Sequence, residues 1–534
     1  MVVATSVIFL WGTDVPLGVA GNPNDPDQPH EWTWERIRIP DANMGDLLAG
    51  WAFAGIGIFV YAGFAFLGAK RLIYCSHMET AGWLCGLVIV GFVWLWIVQE
   101  SCPDGHRMSK AVWVVYYPGS SGYFTEARYY MKDVDSFLET YEDRMTTGDV
   151  LHVGTHPPGL FLFYRGLAWI CHNFPGLRTF LSHTQPYSVD RAFDNLEETS
   201  RRTSTPLLAS DRAIIWLAAL MTQFVAAGTV IPLFLLLRRD YSRETSWLAV
   251  TLWPLMPALA VFLPKSDILF PFLGMAFLYV WLEAWRRQSV LWSLVAGLLL
   301  WFGMFFSLAI LPTAVLAGML TLWEFHSAGK DQQSEYAVRQ AIVVAGSAVA
   351  SFVCVVLGLR FVYQVNLFNV WIWNYHNHAG FYDQFPRTYW KWLLVNPLEL
   401  MVAVGLPMFV LVATSYCKLI KGDTSWRDKC CGPLWCCLAA WVLLWLSGTN
   451  MGEAARLWIV LMPWMIWVSA CTLQVTTDLT RRRLVGWLVI LLLQALVCAA
   501  TVTRVDGFHL DQKIQATPFI VPAEDDEQED VPDR

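Results

Sequence analysis

The sequence predicts an all-α polytopic membrane protein, and three observations carry that prediction. Charged residues make up only 15% of the 534 positions and hydrophobic residues 56%, against about 25% charged in a soluble domain. The mean hydropathy is +0.42. Apolar runs near the length a bilayer requires, about 20 residues, recur along the chain between short polar or basic connections. The 29 Trp and 31 Phe belong to such a protein rather than to one large soluble core.

In chain order, residues 1–12 are apolar but short for a span, and the basic start of a signal peptide is missing. A polar segment follows at 13–48. Spans are expected at about 49–69, 82–99, 213–237, 246–263, 267–285, 288–304, 306–324, 339–362, 393–415, 432–448, 456–474 and 484–502. That gives about twelve, or thirteen with the N-terminal stretch. Lys70-Arg71, Arg238-Arg239, Arg286-Arg287, the Lys418–Lys429 segment and Arg481-Arg482-Arg483 then share one side, which the positive-inside rule makes cytoplasmic. The opposite face receives 13–48, 100–212, 363–392, 447–455, Lys265-Ser266-Asp267 and the C-terminal tail. This count requires that 155–173 not cross. It reads as a helix along the outer interface, with Arg165 snorkelling. The chain therefore divides into 1–99, a large extracytoplasmic loop at 100–212 carrying amphipathic helices, a helical bundle at 213–502, and an acidic tail at 503–534 whose composition predicts disorder.

Much of the net charge of −7 sits in that tail and says little about partners. No G-x-G-x-x-G, P-loop or fixed-period repeat is present, so no soluble nucleotide-binding domain is expected, and no nucleic-acid partner. Most of the twelve Cys lie in apolar segments and read as buried apolar residues. Cys430-Cys431 and Cys436-Cys437 have no His or carboxylate set around them, which argues against a metal cluster. Cys102 and Cys171 both fall on the proposed outer side, where a disulfide is open to them.

The polar stretch Tyr116–Gly166 stands out, because long loops between spans are usually functional. It carries Glu126, Asp133, Asp135, Glu139, Glu142, Asp143 and Asp149, then His152 and His156 before Pro157-Pro158-Gly159. Three more polar clusters share its face: Pro264-Lys265-Ser266-Asp267; Asn374 to Asp383 with His376 and His378, followed by Arg387 and Tyr389; and Ser447 to Trp458 with Glu453 and Arg456. Ionisable groups at membrane depth are costly and point to function. The plainer readings are interfacial anchors, an i,i+3 pair for Glu453–Arg456, and structural histidines. Four clusters on one face favour a shared polar cavity. There Glu126 or Asp267 can take a proton from an acceptor, and Arg456 and Lys265 can hold a phosphate. His152, His156, His376 and His378 with carboxylates are candidate ligands of a divalent metal. Asp133, Asp135, Glu142 and Asp143 read as a solvated helix face opposite Phe137, Leu138 and Tyr141.

The order of these motifs resembles the GT-C superfamily of polytopic glycosyltransferases, in the branch of protein O-mannosyltransferases and lipid A aminoarabinose transferases. Thr125-Glu126-Ala127-Arg128-Tyr129 is similar to the family's Asp-Glu-x-x-Tyr motif, with Thr in place of the leading acid. Thr155-His156-Pro157-Pro158-Gly159 resembles the family's Pro-Pro segment, Ser266-Asp267 its second-loop Asp, and Arg456 with Pro463 its late Arg. The likeness covers roughly residues 82–475. Two spans precede the loop where the family usually has one. The resemblance implies transfer of a sugar from a polyprenyl-phosphate donor to a glycan, lipid or protein acceptor at the extracytoplasmic face of a cell membrane. Glu126 and Asp267 would be catalytic, and Arg128, Tyr129, His156, Lys265, His376, His378, Glu453 and Arg456 would bind substrate. A transporter or flippase for a lipid-linked glycan is the alternative. Its midplane ionisable groups are not what these largely uncharged spans show.

Overall fold

The computed structural model describes residues 2–21, 29–39, 43–72, 74–201, 203–327, 335–421, 424–474 and 481–508. It is an almost wholly helical, membrane-embedded protein. Seven helices are long and apolar enough to cross a membrane: Met44–Arg71, His77–Glu100, Ala209–Leu237, Ser266–Arg287, Leu308–Ser327, Val338–Tyr363 and Arg481–Val502. An eighth crossing exists if the bent pair Tyr389–Val404 and Leu406–Ile420 counts as one span.

The expected spans that differ do so for local reasons. Residues 288–304 and 432–448 fall in apolar helices, but Val290–Phe306 has only 17 residues, the lower limit for a crossing at about 17. The stretch 456–474 is divided into Ala454–Leu457, a 3₁₀ turn at Ile459–Leu461, and Met462–Leu473. The span expected at 393–415 bends by 114° at Gly405, whose φ is +88° and where a Cβ would lie 2.5 Å from Gln494 Nε2. Only glycine meets both conditions.

Residues 246–263 are not one continuous helix. They form Arg243–Val250, a 3₁₀ turn at Trp253–Leu255 and the short helix Pro257–Val261. Pro254, Pro257 and Pro264 remove backbone donors and break the helix, and Leu263–Pro264 is cis. Carbonyls freed this way inside an apolar core need partners, and side chains supply them. Tyr61 Oη donates to Thr251 O at 2.7 Å, Trp487 Nε1 to Leu248 O at 3.0 Å and Gln494 Nε2 to Leu255 O at 3.0 Å. Gln494 also donates to Val404 O at 2.7 Å and accepts from Met408 N at 3.2 Å across the bend. The surrounding core is aromatic, with Trp94, Trp247 and Trp253 fully buried.

Other expectations are corrected. The all-α chain carries a small antiparallel sheet, β1 (Leu17–Val19), β2 (Trp32–Arg36) and β3 (Val505–Asp506), in that order. Arg36 in β2 caps the C-terminus of Val2–Gly12 through Phe9 O, Leu10 O and Thr13 O at 3.0, 2.5 and 2.5 Å. Thr503–Phe508 are buried or nearly so and belong to the fold; the rest of the tail, 509–534, lies outside the described residues. Most of the outer loop expected at 363–392 is the helix Leu367–Gln384. Cys102 and Cys171 are both free, buried thiols. Cys436 and Cys437 are buried; the Cys430 side chain lies outside the described set.

The loop 100–212 is a set of short helices. Gly159–Asn173 has 15 residues and Phe161, Tyr164 and Leu167 face inward, in keeping with a helix that does not cross. Asp133 caps Val134–Glu139 by accepting from Ser136 N at 2.8 Å, with Phe137, Leu138 and Tyr141 buried behind it.

Gln494 supports the broken stretch and the bend together. Gln494→Leu keeps the volume and strands two carbonyls and one N–H, each at a cost of about 1–3 kcal/mol. A clear drop in melting temperature in detergent is expected, and melting equal to wild type would show that these carbonyls find other partners.

Candidate functional site

Asp267 sits in the 3₁₀ turn Ser266–Leu269 that opens the span ending at Arg287. The turn is held by the preceding lysine, since Lys265 is buried and its Nζ donates to Ser120 O in the large loop. Across from it, Glu453 stands at the N-terminus of Ala454–Leu457 with φ +57°, a left-handed conformation uncommon outside glycine. One turn on, Arg456 Nη2 donates to Glu453 Oε2 at 2.6 Å, and its Nε lies 3.7 Å from Asp267 Oδ2. The three side chains are 20%, 13% and 16% exposed, in the order Glu453, Arg456, Asp267. The Arg456 Nε is buried without a hydrogen-bond partner.

These groups line one cavity of about 340 Å³. The large loop contributes Tyr123, His152 and His156, the helix Leu367–Gln384 contributes Asn374, His378 and Tyr382, and Arg387 closes one edge. Asn374 Nδ2 donates to Gly154 O at 2.9 Å and Asn377 Nδ2 to Gly154 O at 2.8 Å, so this helix grips the loop bearing His156. On the next turn His378 Nε2 meets Thr449 O at 3.2 Å, and Tyr382 Oη donates to Thr449 O at 2.6 Å while accepting from Met451 N at 2.9 Å. The 448–453 turn needs Gly448, because φ is +68° and a Cβ would lie 2.8 Å from the Tyr389 ring.

Burial pushes His156 down to about 4, although Asp267 and the His152 carbonyl pull the other way. Burial also lowers His378, so both imidazoles are neutral at pH 7. Burial raises the Tyr382 phenol to about 12 and the Tyr123 phenol well above its usual value, with the Asp267 charge adding to it. Both phenols therefore stay protonated and can donate.

The sequence-predicted site residues divide into two groups. His156, Lys265, Asp267, His378, Glu453 and Arg456 meet in this cavity. Glu126, Arg128, Tyr129 and His376 are not in its wall. Glu126 opens a π-helical turn, Glu126–Tyr130, closed by Met131 N donating to Glu126 O at 2.9 Å, and its carboxylate pairs with Arg144. Thr125, where the resemblance expects an acid, is buried and donates to Tyr116 O at 2.8 Å. Arg128 Nε pairs with the buried Asp211 at 2.7 Å, and Tyr129 Oη donates to Pro206 O at 2.8 Å. His376 is exposed on the other side of its helix. Among the described residues no three His, Cys, Asp or Glu side chains gather as a metal site.

Tyr123, Tyr382 and Arg387 are wall residues that were not singled out as site residues from sequence. Tyr382 follows His378 by four positions, a helical spacing that would have placed the two on one face had the segment been read as a helix. Glu31 was missed altogether. Its carboxylate, 8% exposed, accepts from Thr388 N at 2.8 Å, Thr388 Oγ1 at 2.6 Å and Trp392 Nε1 at 2.7 Å, and pairs with Lys391 Nζ at 3.2 Å. Burial alone would raise this carboxyl, but those donors outweigh it and hold it below the ordinary value. The Glu31 carbonyl accepts from Arg387 Nη1, so a residue of the N-terminal segment fixes the cavity's edge.

No protein-family model matches the chain, and no curated protein does.

The His156 shift makes a signed prediction. A folded value of about 4, below the usual 6.5 or so, means that the unfolded chain binds the extra proton first. The neutral imidazole therefore contributes no pH dependence above 6.5, and stability is lost as pH falls from 6.5 towards 4. His156→Gln removes that term. Its melting temperature should fall less than that of wild type between pH 6.5 and 4; parallel curves would place His156 in a solvated setting.

Proposed function

We propose that this cavity is the active site of a membrane glycosyltransferase that moves a sugar from a polyprenyl-phosphate donor to an acceptor outside the cytoplasm. One observation carries the reading. Four segments far apart in sequence bring two carboxylates, three cations and two neutral histidines to a single cavity at one end of the helices. The residue order that resembles the GT-C glycosyltransferases supports it. The basic connections lie at the other end: Arg239, Arg286 and Arg287 gather around Glu283, and Arg243 donates to Cys75 O. That end is separated from Asp267 by the length of Ser266–Arg287, about 33 Å for 22 residues. The positive-inside rule then sets the cavity on the extracytoplasmic side.

The chemistry assigns Asp267 rather than Glu453 as the base. Glu453 is committed to Arg456 at 2.6 Å, whereas Asp267 is 3.7 Å away, beyond hydrogen-bond range. Asp267 takes the acceptor proton as the acceptor's oxygen or nitrogen bonds the anomeric carbon. The bond from that carbon to the phosphate oxygen breaks with its electron pair, and the phosphate leaves carrying the added negative charge. Arg456 receives that charge and Glu453 holds the guanidinium in place. With Glu126 paired to Arg144, the base role that the resemblance gives it passes to Asp267. A flippase reading draws on the interrupted 243–261 stretch and the 114° bend, since broken helices mark transporters. Against it, the carbonyls of the interruption are taken up by Tyr61, Trp487 and Gln494 and do not face a path. Proteoliposomes loaded with donor separate the two: the glycosyltransferase reading expects sugar transfer, the flippase reading donor translocation without transfer.

Three outcomes are expected. Asp267→Asn should insert normally and lose about 10²-fold or more in transfer, the scale of a positioned base; near-normal transfer would return Asp267 to a structural role. Arg456→Lys keeps the charge but not the planar fork, so most donor binding should go while melting stays close to wild type, and Glu453→Gln should show a milder loss of the same kind. Equal donor affinity in Arg456→Lys and wild type would remove the phosphate role. Cysteines introduced at Thr140 and Glu198 should both label from outside and one at Gln288 from inside; labelling of only one outer site would mean that Gly159–Asn173 crosses.

A further inference from the structure

The large loop holds a second polar cavity that the proposed reaction does not use. Its volume is about 360 Å³, and its wall includes Arg128, Arg165, Arg178, His172, Asp211 and Trp169. The charges do not balance. Arg128 Nε pairs with Asp211 Oδ1 at 2.7 Å, and Asp211 is fully buried. Arg165 Nη2 donates to a backbone carbonyl, Lys132 O, at 3.3 Å, and Arg178 Nε is buried without a hydrogen-bond partner. Neither Arg165 nor Arg178 makes an ion pair among the described residues. Within the pocket wall three guanidinium groups thus face one carboxylate, a formal excess of two positive charges. Guanidinium donors left over in a pocket suit an oxyanion, which accepts their planar pairs of N–H groups.

Position narrows the anion. Ser210, Asp211 and Ile214 in the wall belong to the first turns of Ala209–Leu237, one of the seven helices able to cross a membrane. The first turns of such a helix stand at the level of lipid headgroups. Beside the pocket, Trp169, Phe174 and Phe180 are 62%, 54% and 63% exposed on Gly159–Asn173, Pro175–His183 and the residue joining them. Exposed aromatic rings at that level are what membrane interfaces collect. We infer that this pocket binds the phosphate of an anionic phospholipid headgroup, with the aromatic collar resting on the surrounding lipid. It ties the large loop to the bilayer surface, and it does so whether or not the central cavity transfers sugar.

The test uses the purified full chain in detergent and short-chain lipids, read by isothermal titration calorimetry and by thermal shift. Dihexanoyl phosphatidylglycerol should bind at least about tenfold more tightly than dihexanoyl phosphatidylcholine, a difference of about 1.4 kcal/mol. Arg165→Gln with Arg178→Gln should bring the two lipids level. Arg165→Gln alone, which gives up a contact to a backbone carbonyl and a through-space attraction to Asp133, should show part of the same loss if the double variant folds poorly. Inorganic phosphate lacks the chains that meet the collar and should bind more weakly than phosphatidylglycerol. Equal binding of both lipids by wild type, or unchanged phosphatidylglycerol affinity in the folded variants, would overturn the inference. Phosphate binding as tight as the lipid would overturn the assignment to a headgroup.

Discussion

The broken backbone at Arg243–Pro264 is the constraint on which the rest of the structure depends. A peptide chain inside an apolar core must satisfy its N–H and C=O groups, and a stretch that cannot be one continuous helix has to find partners elsewhere. Here Tyr61 from Met44–Arg71 and Trp487 and Gln494 from Arg481–Val502 reach in to do so. Those contacts fix where the chain emerges, and it emerges as Lys265-Ser266-Asp267. An unbroken span over the same residues would have no reason to deliver Asp267 opposite Arg456. The interruption is therefore part of how the cavity is made, and Gln494 links it to the bend at Gly405.

Charge balance sets the character of the cavity. Arg456, only 13% exposed, would be costly alone, because an unpaired buried charge costs several kcal/mol. Two carboxylates flank it, at 2.6 Å and 3.7 Å, so a partner is present even with nothing bound. The unequal distances matter more than the pairing. The short contact orients the guanidinium, while the long one leaves both Arg456 Nε and the Asp267 carboxylate without a full hydrogen bond between them. Neutral histidines and protonated phenols around this triad add donors and acceptors without adding charge. This is the arrangement that the proposed reaction uses, with a phosphate on the arginine and a proton on the aspartate.

How much of this was legible in the sequence can be judged residue by residue. Helical class and the strongest spans followed from hydropathy, and Asp267, Lys265, Glu453 and Arg456 stood out as ionisable groups beside apolar runs. Pro254, Pro257 and Pro264 were equally visible, but an averaged apolar window hides the break they cause. The polar run at 374–383 looked like a loop because its composition is polar, yet Leu367–Gln384 is a helix whose Asn374, Asn377, His378 and Tyr382 engage the 145–156 and 449–451 segments. On one face of that helix polarity signalled contact with other polar backbone, while His376 and Asp383 are exposed. The place of Glu126, outside the wall of this cavity, was hidden for a related reason. A carboxylate in an acidic loop says nothing about its partner, and Arg144, eighteen residues on, takes it. Glu31 was invisible, since its donors Thr388 and Trp392 are more than 350 residues away.

That distance indicates how the N-terminal segment contributes. Glu31 secures the start of Tyr389–Val404 and, through its carbonyl, Arg387. A few residues later β2 pairs with β3, and Arg504 donates to Leu10 O and Ile37 O. The first forty residues and the last described ones are thereby joined, and one side of the cavity rests on that junction. The opposite side rests on the large loop through Asn374 and Asn377. Neither support is a transmembrane contact, so the edges of the cavity are set by polar hydrogen bonds outside the apolar bundle, where water and ligands compete. The central triad is set by the bundle itself. The cavity therefore has a charged floor held by the bundle, where Asp267 and Arg456 stand 3.7 Å apart, and walls held by hydrogen bonds outside it.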